Sequence, residues 1–265
     1  MRYYIADCHF YHRNLLTEMD NRGFESVEQM NEVMIEKWNK KVHACDEVVI
    51  LGDLSLGSGQ ETNQILHRLK GKLYLIRGNH DDRYLKDKDF DASRFVWIKD
   101  YAEIHDNKRK IVLMHYPVFC YNGQFRRGAD GTPLTYMLHG HIHKTEDQVL
   151  VDRFCAETKA TMRKSAHQET AQPVPCQMIN CFCMYSDYTP LTLEEWIECD
   201  KKRRNQKKCS TEMLRALEMF SDDFMSDRVF DSMEIRRAEE EMCSKAEIIA
   251  KGNADYVTYE EVFGK

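Results

Sequence analysis

Five short apolar runs set the rhythm of the chain: Tyr3-Tyr4-Ile5, Val48-Val49-Ile50-Leu51, Leu73-Tyr74-Leu75-Ile76, Ile111-Val112-Leu113-Met114 and Leu134 to Leu138. Short, bounded by polar residues and rich in branched or aromatic side chains, they read as strands. Helical patterns separate the first three. Ser26-Val27-Glu28-Gln29 is a capping-box signature, and it opens a segment whose Val27, Met30, Met34, Trp38 and Val42 recur on one face. Ser58-Gly59-Gln60-Glu61 repeats the signal ahead of Ile65, Leu66 and Leu69. The order strand, helix, strand, helix, strand over residues 2 to 80 is that of an α/β domain. Past residue 94 the pattern changes: Ala102 to His105 and Lys110 to Met114 flank Asp106-Asn107-Lys108 as the arms of a hairpin would, so a mixed sheet is expected.

Residues 156–177, with Lys, Thr, Ser, Gln and two prolines, read as a polar insertion; a surface loop is expected there, with a substrate lid as the alternative. Thr192-Leu193-Glu194-Glu195 caps a helix containing Trp196 and Ile197. That helix leads into the basic run Lys201 to Lys208, which reads either as a solvated helix or linker or as a patch for an anionic partner. Beyond it Ile235, Ala238, Met242, Ala246 and Ile249 recur at helical spacing, Gly252-Asn253 forms a stop, and Thr258 to Glu261 caps a last short helix. The predicted division is a domain over 1–200 and an acidic helical extension over 209–265. So short an extension cannot bury its own apolar stripe, so it is expected to dock on the domain or on a protein partner.

Composition narrows the class. The 265 residues contain no apolar run of the roughly 18 residues that a membrane helix needs. The amino terminus lacks the apolar core of a signal peptide, which predicts cytoplasmic residence and hence ten reduced cysteines. No Cys-x-x-Cys pair occurs, so a thiolate zinc site is not expected. The net charge of −6 belongs to the tail, where residues 210–265 hold seven Lys/Arg against fourteen Asp/Glu. The remainder is close to neutral, which suits a phosphorylated substrate and offers no broad basic surface for duplex nucleic acid.

Polar clusters follow the strands: Asp7-Cys8-His9, Gly52-Asp53, Gly78-Asn79-His80-Asp81, His115 and Gly140-His141-Ile142-His143. Side chains at the carboxyl ends of strands in an α/β sheet converge on one crevice. Carboxylate, amide and imidazole donors together suit borderline divalent metals, and a two-metal hydrolase centre is the expectation. On extended segments Asp7 and His9, like His141 and His143, would project together, with Cys8 on the opposite face. Asp53, a short carboxylate on a tight turn, is the candidate bridge between two ions.

In order and local wording these stretches, with Met178-Ile179-Asn180 and Tyr188-Thr189-Pro190-Leu191 after them, resemble the calcineurin-like metallophosphoesterases over about residues 1–197. The resemblance implies a four-layer α/β/β/α sandwich. It implies that Asp7, His9 and His143 complete one metal shell and Asn79, His115 and His141 the other, with Asp53 between. A water shared by the two ions would be the nucleophile, and His80 the general acid, its tautomer fixed by Asp81. Manganese is the first choice of metal, with Fe, Zn, Ni or Co acceptable to the same donors. His12, Arg126 and Arg127 are candidate substrate contacts, and Gly140 is read as permitting a sharp exit from its strand. His43, His67, His105, His139 and His167 are left outside the site. The expected reaction is hydrolysis of a phosphate ester, with a slight preference for a small phosphodiester or nucleotide. A single-strand nuclease using the Lys201 to Lys208 run and a non-catalytic protein-binding scaffold are the alternatives.

Overall fold

The computed structural model describes residues 1–164 and 170–206, so the predicted helices of 209–265 and the middle of the 156–177 insertion lie outside the described residues. Within them the chain is an α/β fold with two four-stranded sheets. The first half runs β1 (Arg2–Ile5), α1 (Val27–Lys41), β2 (Glu47–Ile50), α2 (Gly59–Arg68), β3 (Lys72–Ile76), the short α3 (Asp82–Leu85) and β4 (Phe95–Lys99). Its sheet has the order β1-β2-β3-β4 and is parallel throughout. The second half continues through β5 (Tyr101–Asp106), β6 (Arg109–Met114), β7 (Thr135–His139), α4 (Glu146–Ala160), β8 (Met162–Arg163), β9 (Gln172–Pro173) and β10 (Met178–Asn180). Here the order is β10-β7-β6-β5, with β5 and β6 antiparallel and the other pairs parallel. A further helix, α5, occupies 193–206.

The local signals explain most of these boundaries. At α2 both arms of the capping box form: the Glu61 N–H donates to Ser58 Oγ and the Ser58 N–H to Glu61 Oε2, at 3.3 and 2.7 Å. Thr192 and Glu195 make the same reciprocal pair at the start of α5. At α1 the Ser26 hydroxyl accepts from Gln29 N, but the Gln29 side chain takes the Glu25 N–H instead of that of Ser26. The β5–β6 turn places Asn107 and Lys108 at φ 45° and 63°, the left-handed pair that a tight hairpin requires.

Alternating side chains partition the core. Tyr3, Ile5, Val48, Ile50, Leu73 and Leu75 face Met30, Met34, Trp38, Ile65 and Leu66 of α1 and α2. Their neighbours Tyr4, Val49, Leu51 and Ile76 share a second cluster with Ile111, Leu113, Leu138 and Ile179 of the other sheet. Val112, Met137 and Met178 form a third with Val151 and Cys155 of α4. The period of two in each strand produces this separation, since successive residues point to opposite faces.

Two sequence expectations are corrected. The 156–177 segment is not a plain polar loop: its first residues finish α4, and Met162–Arg163 pairs with Gln172–Pro173 as a small hairpin. Helix α4 escaped the apolar pattern because Gln148 is one of its three buried residues. The Gln148 amide is satisfied by Asn180 and Asp152 at 2.8 and 2.9 Å, so a polar side chain occupies a core position without penalty. The basic run is not a solvated patch at its arginines either. Arg203 and Arg204 pair with Asp152 and Asp200, and Arg204 donates to the Met178 carbonyl, which ties α5 to α4 and β10.

The eight cysteines within the described residues are free thiols. Among those residues no helix is long and apolar enough to cross a membrane. Trp196 anchors α5: it is buried, and its indole N–H donates to the Tyr4 carbonyl at 2.8 Å. Replacing Trp196 with Ala should lower the unfolding free energy by about 3–5 kcal/mol, the usual cost of truncating a large buried aromatic. Urea titration measures it, and a loss under about 1 kcal/mol would contradict this docking of α5 on β1.

Candidate metal centre

The polar clusters sit just past the carboxyl ends of β1, β2, β3, β6 and β7. Extended backbone does not carry them, contrary to the sequence expectation. Asp7, His9, Asp53, His141 and His143 have φ of 55°, 51°, 53°, 71° and 43°, all left-handed. Non-glycine residues rarely hold this conformation, and it persists where surrounding contacts enforce it. The chain therefore winds after each strand and turns consecutive donors inward. Gly78 and Gly140 allow the packing: a Cβ on Gly140 would lie 2.5 Å from Asp7 Oδ2, and one on Gly78 would collide with Asp53. Gly140 thus serves close approach to Asp7.

Asp7, His9 and His143, all buried, form the first cluster. His143 Nδ1 lies 2.7 Å from Asp20 Oδ1, so the imidazole donates there and turns its Nε2 inward. That Nε2 is 3.1 Å from His9 Nε2 and 3.7 Å from Asp7 Oδ1. Asp53, His115 and His141 form the second cluster. His115 donates from Nδ1 to the Leu51 carbonyl at 2.7 Å, which leaves its Nε2 facing Asn79 Oδ1 at 3.1 Å and Asp53 Oδ2 at 3.4 Å. His141 Nδ1 reaches the same Asn79 oxygen at 2.9 Å. Asp53 Oδ2 is also 3.6 Å from His9 Nε2, so one carboxylate oxygen faces both clusters.

These separations fit a cation. Donors about 2.1 Å from one ion at tetrahedral or right angles lie roughly 3.0–3.4 Å apart. The His9 Nδ1 atom is buried without a partner among the described residues, so this ring owes its place to its surroundings and to its inward edge.

Asp81 lies behind Asp53. Its two oxygens accept from the backbone N–H groups of Asp53, Leu54 and Gly78 at 2.9, 2.8 and 2.7 Å. The sequence reading paired Asp81 with the His80 imidazole; the structure gives this carboxylate to the turn that carries Asp53. The His80 N–H donates to Asp53 Oδ1 at 2.8 Å, while its ring is exposed, with its centroid 5.4 Å from that of His9.

Burial and charge oppose each other throughout. Burial lifts the Asp7 pKa to about 6 against the pull of His143 and His115. Burial, then the Asp53 charge, raises Asp81 despite its backbone hydrogen bonds. For Asp53 burial acts upward, but the His115 and His80 contacts prevail and its pKa falls. His115 rises to about 9, since the Asp53 and Asp7 carboxylates outweigh its desolvation. Burial, reinforced by His143, drives His9 well down.

His12 stands beside the first cluster, its ring 5.2 Å from His9 and 6.3 Å from His80. Arg126 is exposed, and Arg127 donates to the Pro173 carbonyl of β9, so the described contacts bring neither guanidinium to the cluster. His139 is fully buried on β7 beside the Gly140 carbonyl. Sequence reading missed Asp20, Arg22 and Asn180. Asn180 donates to the His143 carbonyl at 2.9 Å. Asp20 and Arg22 lie in a polar stretch after no strand, with no periodicity to mark them; Asn21 and Gly23, at φ 47° and 71°, are its turn residues.

The sequence profile of the calcineurin-like phosphoesterase superfamily domain matches residues 4–155, and the chain belongs to that family. An uncharacterized protein of Methanocaldococcus jannaschii is 34% identical over 143 residues, covering 53% of this chain and 68% of the relative. Among solved structures, a protein of unknown function from Aquifex aeolicus aligns at 21% identity and a TM-score of 0.49, covering 75% of this chain and 98% of that one. A single mutant of Vps29 from Entamoeba histolytica aligns at 16% identity and a TM-score of 0.29, over 66% and 73% of the two chains.

Substituting Asn for Asp81 places an amide N–H against backbone N–H donors in a buried site. The expected cost is about 1–3 kcal/mol, accompanied by weaker metal uptake as the Asp53 turn loosens. Urea unfolding and equilibrium dialysis measure the two effects, and wild-type values in both would refute this role for Asp81.

Proposed function

We propose that the protein is a phosphoric ester hydrolase that works with two divalent ions, with a slight preference for small phosphodiesters, nucleotides included. The observation that carries this reading is the position of Asp53 Oδ2, 3.6 Å from His9 Nε2 and 3.4 Å from His115 Nε2. One oxygen placed between two donor clusters is what a bridged metal pair requires. Asp7, His9 and His143 would hold one ion and Asn79, His115 and His141 the other. The three apolar clusters support the four-layer α/β/β/α arrangement, with the site at the strand ends.

When bound, the ions would offset the charge on the phosphate and acidify a water. The chain's own residues do the rest. Backbone turns hold the donors rigidly, so little reorganisation accompanies substrate entry. His80, exposed and with its backbone N–H bonded to Asp53, would give a proton from its ring to the departing oxygen. His12, its ring 5.2 Å from that of His9 and 6.3 Å from that of His80, is the candidate contact for a phosphate oxygen. Mixed imidazole and carboxylate donors accept Mn, Fe, Co, Ni or Zn, with Mn the first to supply. A cytoplasmic setting and a phosphorylated small-molecule or nucleotide substrate accompany this reading. Pairing of Arg203 and Arg204 with Asp152 and Asp200 weighs against a single-strand nuclease.

Chelator-stripped protein should not hydrolyse bis(p-nitrophenyl) phosphate, and Mn should restore turnover. Replacing Asp53 with Ala should weaken metal uptake and abolish turnover. His80→Ala should keep its metal yet lose about 100- to 10,000-fold in kcat, most for poor leaving groups. Turnover that survives chelation would sink the metal-dependent reading, and an undiminished His80 variant would remove the general acid.

A further inference from the structure

We propose that Asp20 and Arg22 are positioning residues that make the Asp7, His9 and His143 pocket the tighter of the two cation sites, so that the ions load in a set order. This rests on the two-ion reading above. The Asp20 and Arg22 side chains are 2% and 0% exposed, although their segment belongs to no helix or strand. A carboxylate and a guanidinium taken from water are costly unless their hydrogen-bonding capacity is met. Here each is engaged at the base of the first cluster. Asp20 Oδ1 accepts from His143 Nδ1 at 2.7 Å, and Asp20 Oδ2 accepts from Arg22 Nε and Nη2 at 3.0 and 2.9 Å. Arg22 also donates from Nη1 to the Cys8 carbonyl at 2.7 Å and from Nη2 to that of Asp7 at 3.0 Å.

Two consequences follow for the first pocket. A carboxylate behind an imidazole fixes which nitrogen carries the proton and strengthens the other as a donor. The guanidinium clamps both carbonyls of the left-handed turn that aims Asp7 inward, and it balances the buried Asp20 charge. The second pocket has weaker support. Its His115 is backed by the neutral Leu51 carbonyl, and its His141 is exposed to water. Among the described residues, His143 is the one histidine of the two clusters with a carboxylate behind its outer nitrogen. A preorganised, dry pocket loses less on binding than one with a solvated ligand.

The test uses the full chain stripped of metal, with Co2+ alone as probe, followed by equilibrium dialysis and visible absorption. Wild type should take up cobalt in two resolved steps. Asp20→Asn should weaken the tighter step by about 10- to 100-fold and leave the weaker one in place. His141→Ala, a change at an exposed position, should remove the weaker step and keep the tighter at wild-type affinity; this arm decides the order even if the Asp20 variant fails to fold. Without metal, two-bond 1H–15N spectra should show His143 as the Nδ1–H tautomer in wild type and as a mixture in Asp20→Ala. Equal steps in wild type, wild-type loading by Asp20→Asn, or an unchanged tautomer in Asp20→Ala overturns the proposal while leaving two-ion chemistry intact. A wild-type chain that takes up no cobalt overturns both.

Discussion

Asp7, Asp53 and Asp81 are three carboxylates buried at the ends of neighbouring strands, and pairing their charge is the constraint on which the local structure depends. Water solvates none of them well, and two of the three are raised in pKa by burial and by a neighbouring carboxylate. Three kinds of partner answer this. Backbone N–H groups surround Asp81, the His141 N–H reaches Asp7 at 3.0 Å, and imidazoles line Asp53 and Asp7. Divalent cations would complete the compensation, because they bring positive charge directly to the carboxylates.

The left-handed turns follow from the same constraint. A strand continued in extended form would carry these donors onward along one face, away from the strand end. Winding the chain immediately after the strand turns Asp7 and His9, and then His141 and His143, into one polar space. That conformation is intrinsically unfavourable for residues with a Cβ. The carbonyl clamps from Arg22, the N–H groups held by Asp81 and the close approaches at Gly78 and Gly140 offset it. Backbone strain and ligand geometry are thus two aspects of one arrangement, as is common where a site must be rigid.

The two clusters are not equivalent in their support. One is buried on all sides and backed by an ion pair; the other leans on a backbone carbonyl and opens to solvent through His141. The second cluster and the exposed His80 thus face solvent, while the first is enclosed. Membership of the calcineurin-like phosphoesterase superfamily does not by itself specify the substrate.

Strand periodicity, the capping residues at Ser26, Ser58 and Thr192, and the placing of Asp, Asn and His directly after apolar runs were legible in the chain, because each is a local property that a few neighbours express. The α/β class followed from their order, and the grouping of Asp7 with His9 followed from their proximity in sequence, whereas His141 and His143, equally close in sequence, belong to different clusters. Helix α4 was not legible, since Gln148 occupies a core position only because Asn180 satisfies it from another element. Nor were the roles of Asp81, Asp20 and Arg22, which depend on partners as far as 123 positions away as well as on near neighbours. The sequence by itself determined which donors exist and that they follow strands. Tertiary structure alone decided their left-handed aim, their protonation partners and which cluster is dry, because these depend on burial and on hydrogen bonds that close only when distant segments meet.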